Sequence, residues 1–152
     1  MKLEPLMTYH ADLKAPVEVG SGPLGQRMIF DVTGGTFEGP RISGRLLASG
    51  ADWLLTGADG FGRLDVRATM ETHDGAYIYM RYHGILEMNE TVIAASAKGE
   101  SLDYGDTYFM TAPRFETGDA RYGWINGLIN VAEGRVLPNA VEYRVFQVAN
   151  DS

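Results

Sequence analysis

Short segments rich in β-branched and aromatic residues, separated by glycine-containing turns, run through almost the whole chain. They predict eight or nine strands, at residues 6–13, 26–33, 36–47, 53–56, 62–72, 76–84, 107–112, 122–131 and 141–148. Asp59-Gly60 and Asp74-Gly75 are typical of tight hairpin turns, because glycine adopts a positive φ at little cost. These turns indicate antiparallel neighbours.

Only residues 89–99 have the pattern of a helix. Asn89 is suited to be its N-cap, apolar residues share one face, and Gly99 is a natural terminator. One helix cannot cover the two faces of a parallel sheet. The chain is therefore predicted to be all-β, an antiparallel barrel of about eight strands with one short helix. A closed barrel is favoured because closure removes exposed strand edges.

Length and cysteine content restrict the class of protein further. A chain of 152 residues has the size of one domain, so residues 1–152 are expected to form a single barrel. The sequence has no cysteine, which excludes disulfides, thiolate metal sites and a cysteine nucleophile, and suits a reducing compartment. The first residues lack the apolar segment of a signal peptide and no segment could cross a bilayer as a helix, so a cytoplasmic location is expected.

The charge of the chain bears on its partners. A formal net charge of -7 creates a field that repels phosphate backbones and anionic lipid surfaces. Neither nucleic acid nor a membrane is therefore expected as a partner.

One segment matches a nucleotide-binding fingerprint. Residues 20–25, Gly-Ser-Gly-Pro-Leu-Gly, fit G-x-G-x-x-G, but that fingerprint needs a helix after the glycines, and a strand-like segment follows here. An ordinary glycine turn is the preferred interpretation. His10, His73 and His83 lack the close spacing with which one element presents two imidazoles to a metal, and there is no G-x-S-x-G elbow. No metal site and no cofactor are predicted.

The two central strands carry different side chains on their two faces, because successive residues of a strand point to opposite sides. The apolar faces consist of Leu64, Val66, Ala68 and Met70 in one strand and of Ile78, Met80 and Tyr82 in the next. The opposite faces consist of Asp65, Arg67, Thr69 and Glu71, and of Tyr77, Tyr79, Arg81 and His83. The ordinary interpretation buries the apolar faces as core. In the alternative, the polar and aromatic faces line a pocket for one small ligand, in a barrel covered outside by partner subunits.

Under the pocket interpretation, two groups of residues are candidates for function. The catalytic group would bind a developing oxyanion or carboxylate through Arg67, Arg81 and Tyr79, and would move a proton with Asp65 or Glu116. The ligand-binding group would form the wall of the pocket: Trp53, Tyr108, Arg114, Tyr122, Trp124 and Asn126. Simpler roles stay open, since Arg114 and Glu116 can form an ion pair and Asp52-Trp53 can cap the start of a strand.

Several phrases carry a family resemblance: Val-Thr-Gly-Gly-Thr-Phe-Glu-Gly-Pro-Arg at 32–41, Gly-Ala-Asp-Trp at 50–53 and Pro-Arg-Phe-Glu-Thr-Gly at 113–118. With shorter phrases at 65–67, 75–81 and 121–126, the chain from Leu6 to Val148 resembles the bacterial family called domain of unknown function 3237. The resemblance implies a calycin-like barrel of the allene oxide cyclase kind that commonly forms homo-oligomers. Barrels of that class act without cofactors, by steering a reactive substrate through cyclisation or coupling or by binding a small apolar ligand. The resemblance carries over no catalytic residues.

Three hypotheses follow for the function. The first is a cofactor-independent lyase, isomerase or cyclase that acts on a small, partly aromatic or carbonyl-bearing metabolite in the barrel. The second is a barrel that binds such a molecule without chemistry. The third is a structural homo-oligomer with a filled barrel and an outward aromatic interface. A carboxylate or tyrosine with a pKa displaced by burial favours the first over the second, and an interior packed with Leu, Val and Met favours the third.

Overall fold

The computed structural model describes the whole chain, Met1–Ser152. Its ten strands are β1 (Lys2–Leu13), β2 (Val17–Gly22), β3 (Gly25–Glu38), β4 (Ser43–Thr56), β5 (Phe61–Thr72), β6 (Tyr77–Glu87), β7 (Phe109–Thr111), β8 (Arg114–Glu116), β9 (Asn130–Leu137) and β10 (Ala140–Ala149). Helix α1 (Glu90–Lys98) lies between β6 and β7, and a 3-10 helix (Ala120–Gly127) lies between β8 and β9. Neither helix has the length and apolar character needed to cross a membrane.

The strands form a closed antiparallel barrel. Their order is β1-β10-β9-β7-β6-β5-β4-β3, and the second half of β3 pairs back with β1 to complete the ring. Two strands are additional: β2 pairs with the first half of β3 as a hairpin arm, and β8 pairs with β6 beyond β7. The predicted antiparallel barrel of about eight strands with one short α-helix is confirmed.

The two predicted hairpin turns and the predicted helix ends are present. Asp59-Gly60 lies in the turn from β4 to β5 and Asp74-Gly75 in the turn from β5 to β6, with both glycines at positive φ. Asn89 accepts the backbone N–H of Val92 at 3.0 Å and starts α1, and Gly99, at a left-handed φ of 66°, ends it. Residues 20–25 form the hairpin between β2 and β3, as expected for an ordinary glycine turn.

Two predicted strand boundaries are wrong. β4 continues through residues 49–52, where a turn was predicted, because the extra residues form a bulge between Leu46 and Gly50 opposite β5. β3 likewise continues through Gly34-Gly35. A Cβ on Gly35 would collide with the carbonyl oxygen of His10, so this glycine permits a close approach of β1. The glycines of these segments therefore mark bulges and close contacts within long strands.

The strand predicted at residues 122–131 is also wrong. Residues 120–127 form the 3-10 helix, which Asp119 starts by accepting the backbone N–H of Arg121 at 2.9 Å. Tyr122 and Ile125, three residues apart, are buried and join the core. The alternation of large side chains with glycine in this segment resembles a strand, but the buried positions follow the period of a tight helix.

The apolar faces of the central strands point into the barrel. The seven side chains named above for these faces, from Leu64 to Tyr82, are at most 4% exposed, and all belong to a core cluster of 28 buried residues. Val92 and Ala95 of α1 extend this core at the end of the barrel where β6 finishes. The ordinary interpretation of strand parity is confirmed, and the Leu, Val and Met side chains in this interior are those that the structural homo-oligomer hypothesis expects.

Candidate functional site

The side chains predicted as catalytic lie on the outside of the barrel. They are Asp65 and Arg67 of β5, Tyr79 and Arg81 of β6, and Glu116 of β8. The register places Arg67 opposite Arg81, and Tyr79 opposite Glu116. Their placement in the barrel interior is wrong, because the alternate residues of the same strands fill that interior. Their catalytic roles stay predictions.

The structure does not bring the predicted ligand-binding residues together at one place. Arg114 lies on the outer face of β8, opposite Arg81, and forms no ion pair with Glu116. Tyr108 is exposed just before β7. Trp53 is half-buried, and its backbone carbonyl accepts a hydrogen bond from Nη1 of Arg27 at 2.7 Å.

The other three of these residues belong to the 3-10 helix and hold it in place. The hydroxyl of Tyr122 donates to Oδ1 of Asp74 at 2.8 Å. The guanidinium of Arg41 lies 3.8 Å from the centre of the Trp124 ring. The Asn126 side chain exchanges two hydrogen bonds with the backbone of Thr117. These contacts attach the 3-10 helix to the neighbouring segments of the chain.

One carboxylate, Asp52, lies on the inner face of the barrel wall. It occupies the middle of β4, opposite Phe30 of β3 and Val66 of β5, so a role as the cap of a strand start is wrong. The β4–β5 pairing is interrupted between Asp52 and Leu55. In this gap Oδ1 of Asp52 accepts the backbone N–H of Asp65 at 3.1 Å. The carboxylate thus replaces a backbone carbonyl in the sheet and is partly buried.

Three tyrosines from three strands meet inside the barrel, and we call them the tyrosine cluster: Tyr9 of β1, Tyr82 of β6 and Tyr143 of β10. The ring centres of Tyr9 and Tyr143 are 4.9 Å apart, and those of Tyr82 and Tyr143 are 5.4 Å apart. Gly134 of β9 makes room for these rings, because a Cβ there would lie 2.8 Å from the Tyr143 ring. Such offset and edge-to-face contacts stabilise a core beyond simple burial.

The hydroxyl of Tyr9 has no hydrogen-bond partner, although the residue is only 1% exposed. A buried hydroxyl without a partner costs stability, so such groups are uncommon in folded proteins. Within the tyrosine cluster this hydroxyl forms no hydrogen bond of ordinary geometry, and Tyr82 offers it only a weak one that contributes to its raised pKa.

The charge of Asp52 is coupled to the tyrosine cluster. Burial raises the pKa of Asp52 to about 7; the Asp65 charge adds to this, while the Asp65 backbone N–H and Arg27 oppose it. The pKa values of Tyr9, Tyr82 and Tyr143 are raised chiefly by burial, and the negative charge of Asp52 contributes to each. Near neutral pH, Asp52 can therefore give or take a proton, while the tyrosines remain neutral hydrogen-bond donors.

Strand parity could have found this group of residues. Met7, Tyr9 and Ala11 alternate with polar residues in the first predicted strand, and all three are buried. Asp52 was missed because residues 49–52 were predicted to be a turn. The bulge between Leu46 and Gly50 adds two residues and so keeps the parity of β4. Alternation from buried Leu46 or Leu54 would therefore have placed Asp52 on the inner face, had residues 49–52 been assigned to the strand.

The main concavities of the surface lie elsewhere. One, of about 370 Å³, is lined by Gly44, Arg45, Glu71, Thr72, His73 and Gly75 beside the turn from β5 to β6. Another, of about 240 Å³, lies between the start of β1, the end of β3 and β10. No three histidine or acidic side chains are grouped as metal ligands. Neither concavity includes Asp52 or the tyrosine cluster.

The sequence matches a known family over nearly its whole length. The model of the family described as protein of unknown function (DUF3237) matches residues 1–148. The chain belongs to this family. A UPF0311 protein of Rhodopseudomonas palustris is 32% identical over 137 residues, covering 90% of this chain and 88% of that protein. A UPF0311 protein of Clostridium acetobutylicum is 28% identical over 150 residues, covering 98% and 95%.

Solved structures of similar proteins share this barrel fold. A conserved protein of unknown function from Rhodopseudomonas palustris has a TM-score of 0.90 at 30% identity, covering 97% of both chains. A β-barrel-like protein from Acinetobacter baumannii has a TM-score of 0.84 at 35% identity, covering 97% of this chain and 96% of that chain. An enzyme from Penicillium herquei has a TM-score of 0.71 at 21% identity, covering 97% and 94%, which shows a shared fold.

Proposed function

We propose that the protein is a cofactor-independent lyase, isomerase or cyclase that acts on a small carbonyl-bearing or partly aromatic metabolite, with Asp52 as the group that moves the proton. One observation carries this proposal. A partly buried carboxylate lies on the inner wall of the barrel, electrostatically coupled to three tyrosines, and the hydroxyl of Tyr9 is unpartnered. A general base and a hydrogen-bond donor are the two groups that enolisation of a carbonyl compound requires.

The chemistry balances with these groups alone. The Asp52 carboxylate takes a proton from the carbon next to the carbonyl, and the C–H electron pair moves into the enolate. The Tyr9 hydroxyl donates a hydrogen bond to the enolate oxygen, where the negative charge develops. The protonated Asp52 then returns its proton to another carbon in an isomerase, to a leaving group in a lyase, or to the atom that completes a ring in a cyclase. A pKa of about 7 suits both steps at neutral pH.

The aromatic rings beside Asp52 and beside the tyrosine cluster suit an apolar, partly aromatic substrate. Phe30 is directly opposite Asp52, and Phe109 packs with its ring centre 5.2 Å from that of Tyr143. Rings of this kind form the walls of most small-molecule sites. The Penicillium herquei protein, described as an enzyme, has the same fold, so the fold is compatible with catalysis.

Ligand binding without chemistry is the second candidate, because the free Tyr9 hydroxyl could serve a bound molecule whether or not Asp52 moves a proton. The two candidates differ in one respect. An enzyme of the proposed kind exchanges carbon-bound hydrogen of its ligand with solvent, whereas a binder does not.

The experiment measures that exchange. A panel of small enolisable ketones and enones, including 2-cyclohexenone and phenylacetone, is first screened for stabilisation of the folded protein. Stabilising compounds are then incubated with the protein in D₂O, and loss of the α-proton signal is followed by NMR. We expect exchange that falls at least about 100-fold in Asp52→Asn, the usual contribution of a general base.

Asp65→Asn is the matched control. Asp65 is the neighbouring carboxylate on the outer face, and its backbone N–H, which Asp52 accepts, is unchanged by the substitution. Exchange should persist in this variant. Equal exchange in Asp52→Asn and the parent would contradict the proposal, and binding without any exchange would favour the binding-only candidate.

A further inference from the structure

The outer face of β5, β6 and β8 carries three arginines in one row. Arg67 lies directly opposite Arg81 across β5 and β6, and Arg81 lies directly opposite Arg114 across β6 and β8. All three side chains are exposed. Like charges at directly opposite positions of an antiparallel sheet destabilise it. The row therefore has an electrostatic cost that nothing in the barrel requires.

None of these three arginines forms an ion pair within the chain. Five other arginines form ion pairs with carboxylates: Arg45, Arg63, Arg121, Arg135 and Arg144. Arg67, Arg81 and Arg114 form no ion pair, although the chain has 20 acidic and only 13 basic residues. In a protein with an excess of carboxylates, three adjacent unpaired arginines point to a partner that supplies negative charge.

The next row on the same face offers a complementary set. Thr69, Tyr79 and Glu116 lie opposite one another on β5, β6 and β8, two residues along each strand from the arginines. Glu116 is exposed and forms no ion pair, and the ring of Tyr79 is 36% exposed. An exposed carboxylate and an exposed aromatic ring are the two groups that guanidinium binds best.

We propose that this face joins two copies of the chain in a two-fold dimer. A two-fold axis in the plane of the interface, running across the strands midway between the two rows, exchanges one row with the other. It brings Arg114 opposite the partner's Glu116 and Arg81 over the partner's Tyr79. Because a two-fold interface uses each contact twice, it contains two such ion pairs and two cation–π contacts.

The composition of the face fits a second copy better than another partner. Its other outward positions include Tyr77, Ile85 and Met110, and the three lysines of the chain, Lys2, Lys14 and Lys98, lie elsewhere. Interfaces between proteins are enriched in tyrosine, methionine and arginine and depleted in lysine. A polyanion would meet Glu116 as well as the overall charge of -7, whereas a second copy matches the arginine row with Tyr79 and Glu116. The same axis lays Asp65 over the partner's Glu71, whose charge is balanced within its own chain by Arg45.

Charge reversal tests the proposed pairing. The oligomeric state of the full chain is measured by analytical ultracentrifugation at low and high salt. We expect a dimer at low salt that weakens at high salt. Arg114→Glu and Glu116→Arg each place two pairs of like charges in the interface, so each should raise the dissociation constant at least about 10-fold. The doubly reversed chain, and an equimolar mixture of the two single variants, regain opposite charges at both pairs and should associate again.

Lys14→Glu is the matched control, since it reverses one exposed charge away from the face and should leave the dimer unchanged. Circular dichroism verifies that each variant is folded. A chain that stays monomeric at low salt and high concentration would overturn the proposal. An assembly that persists in both Arg114→Glu and Glu116→Arg would also overturn it. The same holds if the doubly reversed chain fails to associate. None of these measurements depends on Asp52, so the proposal stands or falls independently of the proposed enzyme.

Discussion

Asp52 and Asp65 are linked through the backbone of two neighbouring strands: Oδ1 of Asp52 accepts the N–H of Asp65 at 3.1 Å. The side chains of the two residues point to opposite sides of the barrel wall. Asp65 faces outward with the arginine row, whereas Asp52 faces the tyrosine cluster, and burial raises its pKa to about 7. Two carboxylates that are adjacent in the sheet thus have separate environments, and the raised pKa of the inner one suits it to proton transfer at neutral pH.

Asp52→Asn should change the pH dependence of stability. The pKa of Asp52 is about 7 in the folded chain, and in the unfolded chain it has the ordinary aspartate value of 3.8. Between these pH values the folded chain keeps a proton that the unfolded chain has released, so the stability of the parent falls as the pH rises. The variant lacks this titration. Its stability relative to the parent should therefore rise by about 3 kcal/mol from pH ~4 to pH ~7 and then stay level.

Urea unfolding of parent and variant at several pH values measures this difference. Comparing the two chains cancels the surface carboxylates, such as Asp59 beside Arg63, whose pKa values are lowered and whose stability effects have the opposite sign. Asp65→Asn keeps Asp52 but removes the neighbouring charge that adds to its raised pKa, so its titration should persist at a somewhat lower pH. A difference between parent and Asp52→Asn that does not vary with pH would contradict the raised pKa.

Tyr9→Phe should preserve or increase stability while removing function. It deletes a buried hydroxyl that has no partner, so the free energy of unfolding should rise by 0 to about 1 kcal/mol. Tyr122→Phe deletes a hydroxyl that donates to Asp74, and should lower stability by about 1 kcal/mol. Chemical denaturation of both variants distinguishes the two kinds of hydroxyl. A loss of stability in Tyr9→Phe as large as that in Tyr122→Phe would show that Tyr9 has a structural hydrogen bond.

Gly134→Ala should disrupt the tyrosine cluster. The added methyl group would lie 2.8 Å from the Tyr143 ring and 2.9 Å from the Phe109 ring, so the rings must move. Overpacking of this kind costs about 1–3 kcal/mol. Gly118→Ala, where no atom lies within 4 Å of the added group, is the control and should unfold like the parent. Near-UV circular dichroism reports the rearranged rings, and an unchanged spectrum and stability would contradict the packing.

Most of the fold could be predicted from local sequence, because its signals are local. The turns at Asp59-Gly60 and Asp74-Gly75 and the caps of α1 depend on a few adjacent residues. The boundaries that were wrong depend on distant contacts. Gly35 is required by the approach of β1, some 25 residues earlier in the chain, and the continuation of β4 through residues 49–52 depends on a bulge against β5.

The candidate site was harder to predict, because its residues come from four strands far apart in sequence. Tyr9, Tyr82 and Tyr143 each resemble ordinary aromatic strand residues, and only closure of the barrel brings them together. Arginine, tyrosine and glutamate residues of the central strands were predicted to be catalytic because of their chemistry. They point outward because burial of the apolar residues that alternate with them is energetically favourable.

The most direct test of the account is the pKa of Asp52 itself. NMR of the protein with ¹³C-labelled aspartate side-chain carboxyl groups follows each one through a pH titration, and Asp52→Asn assigns the signal. The account predicts a midpoint of about 7 for Asp52. A midpoint near the ordinary value of 3.8 would mean that the carboxyl is well solvated and ionised throughout, and it would remove the basis for proton transfer at this site.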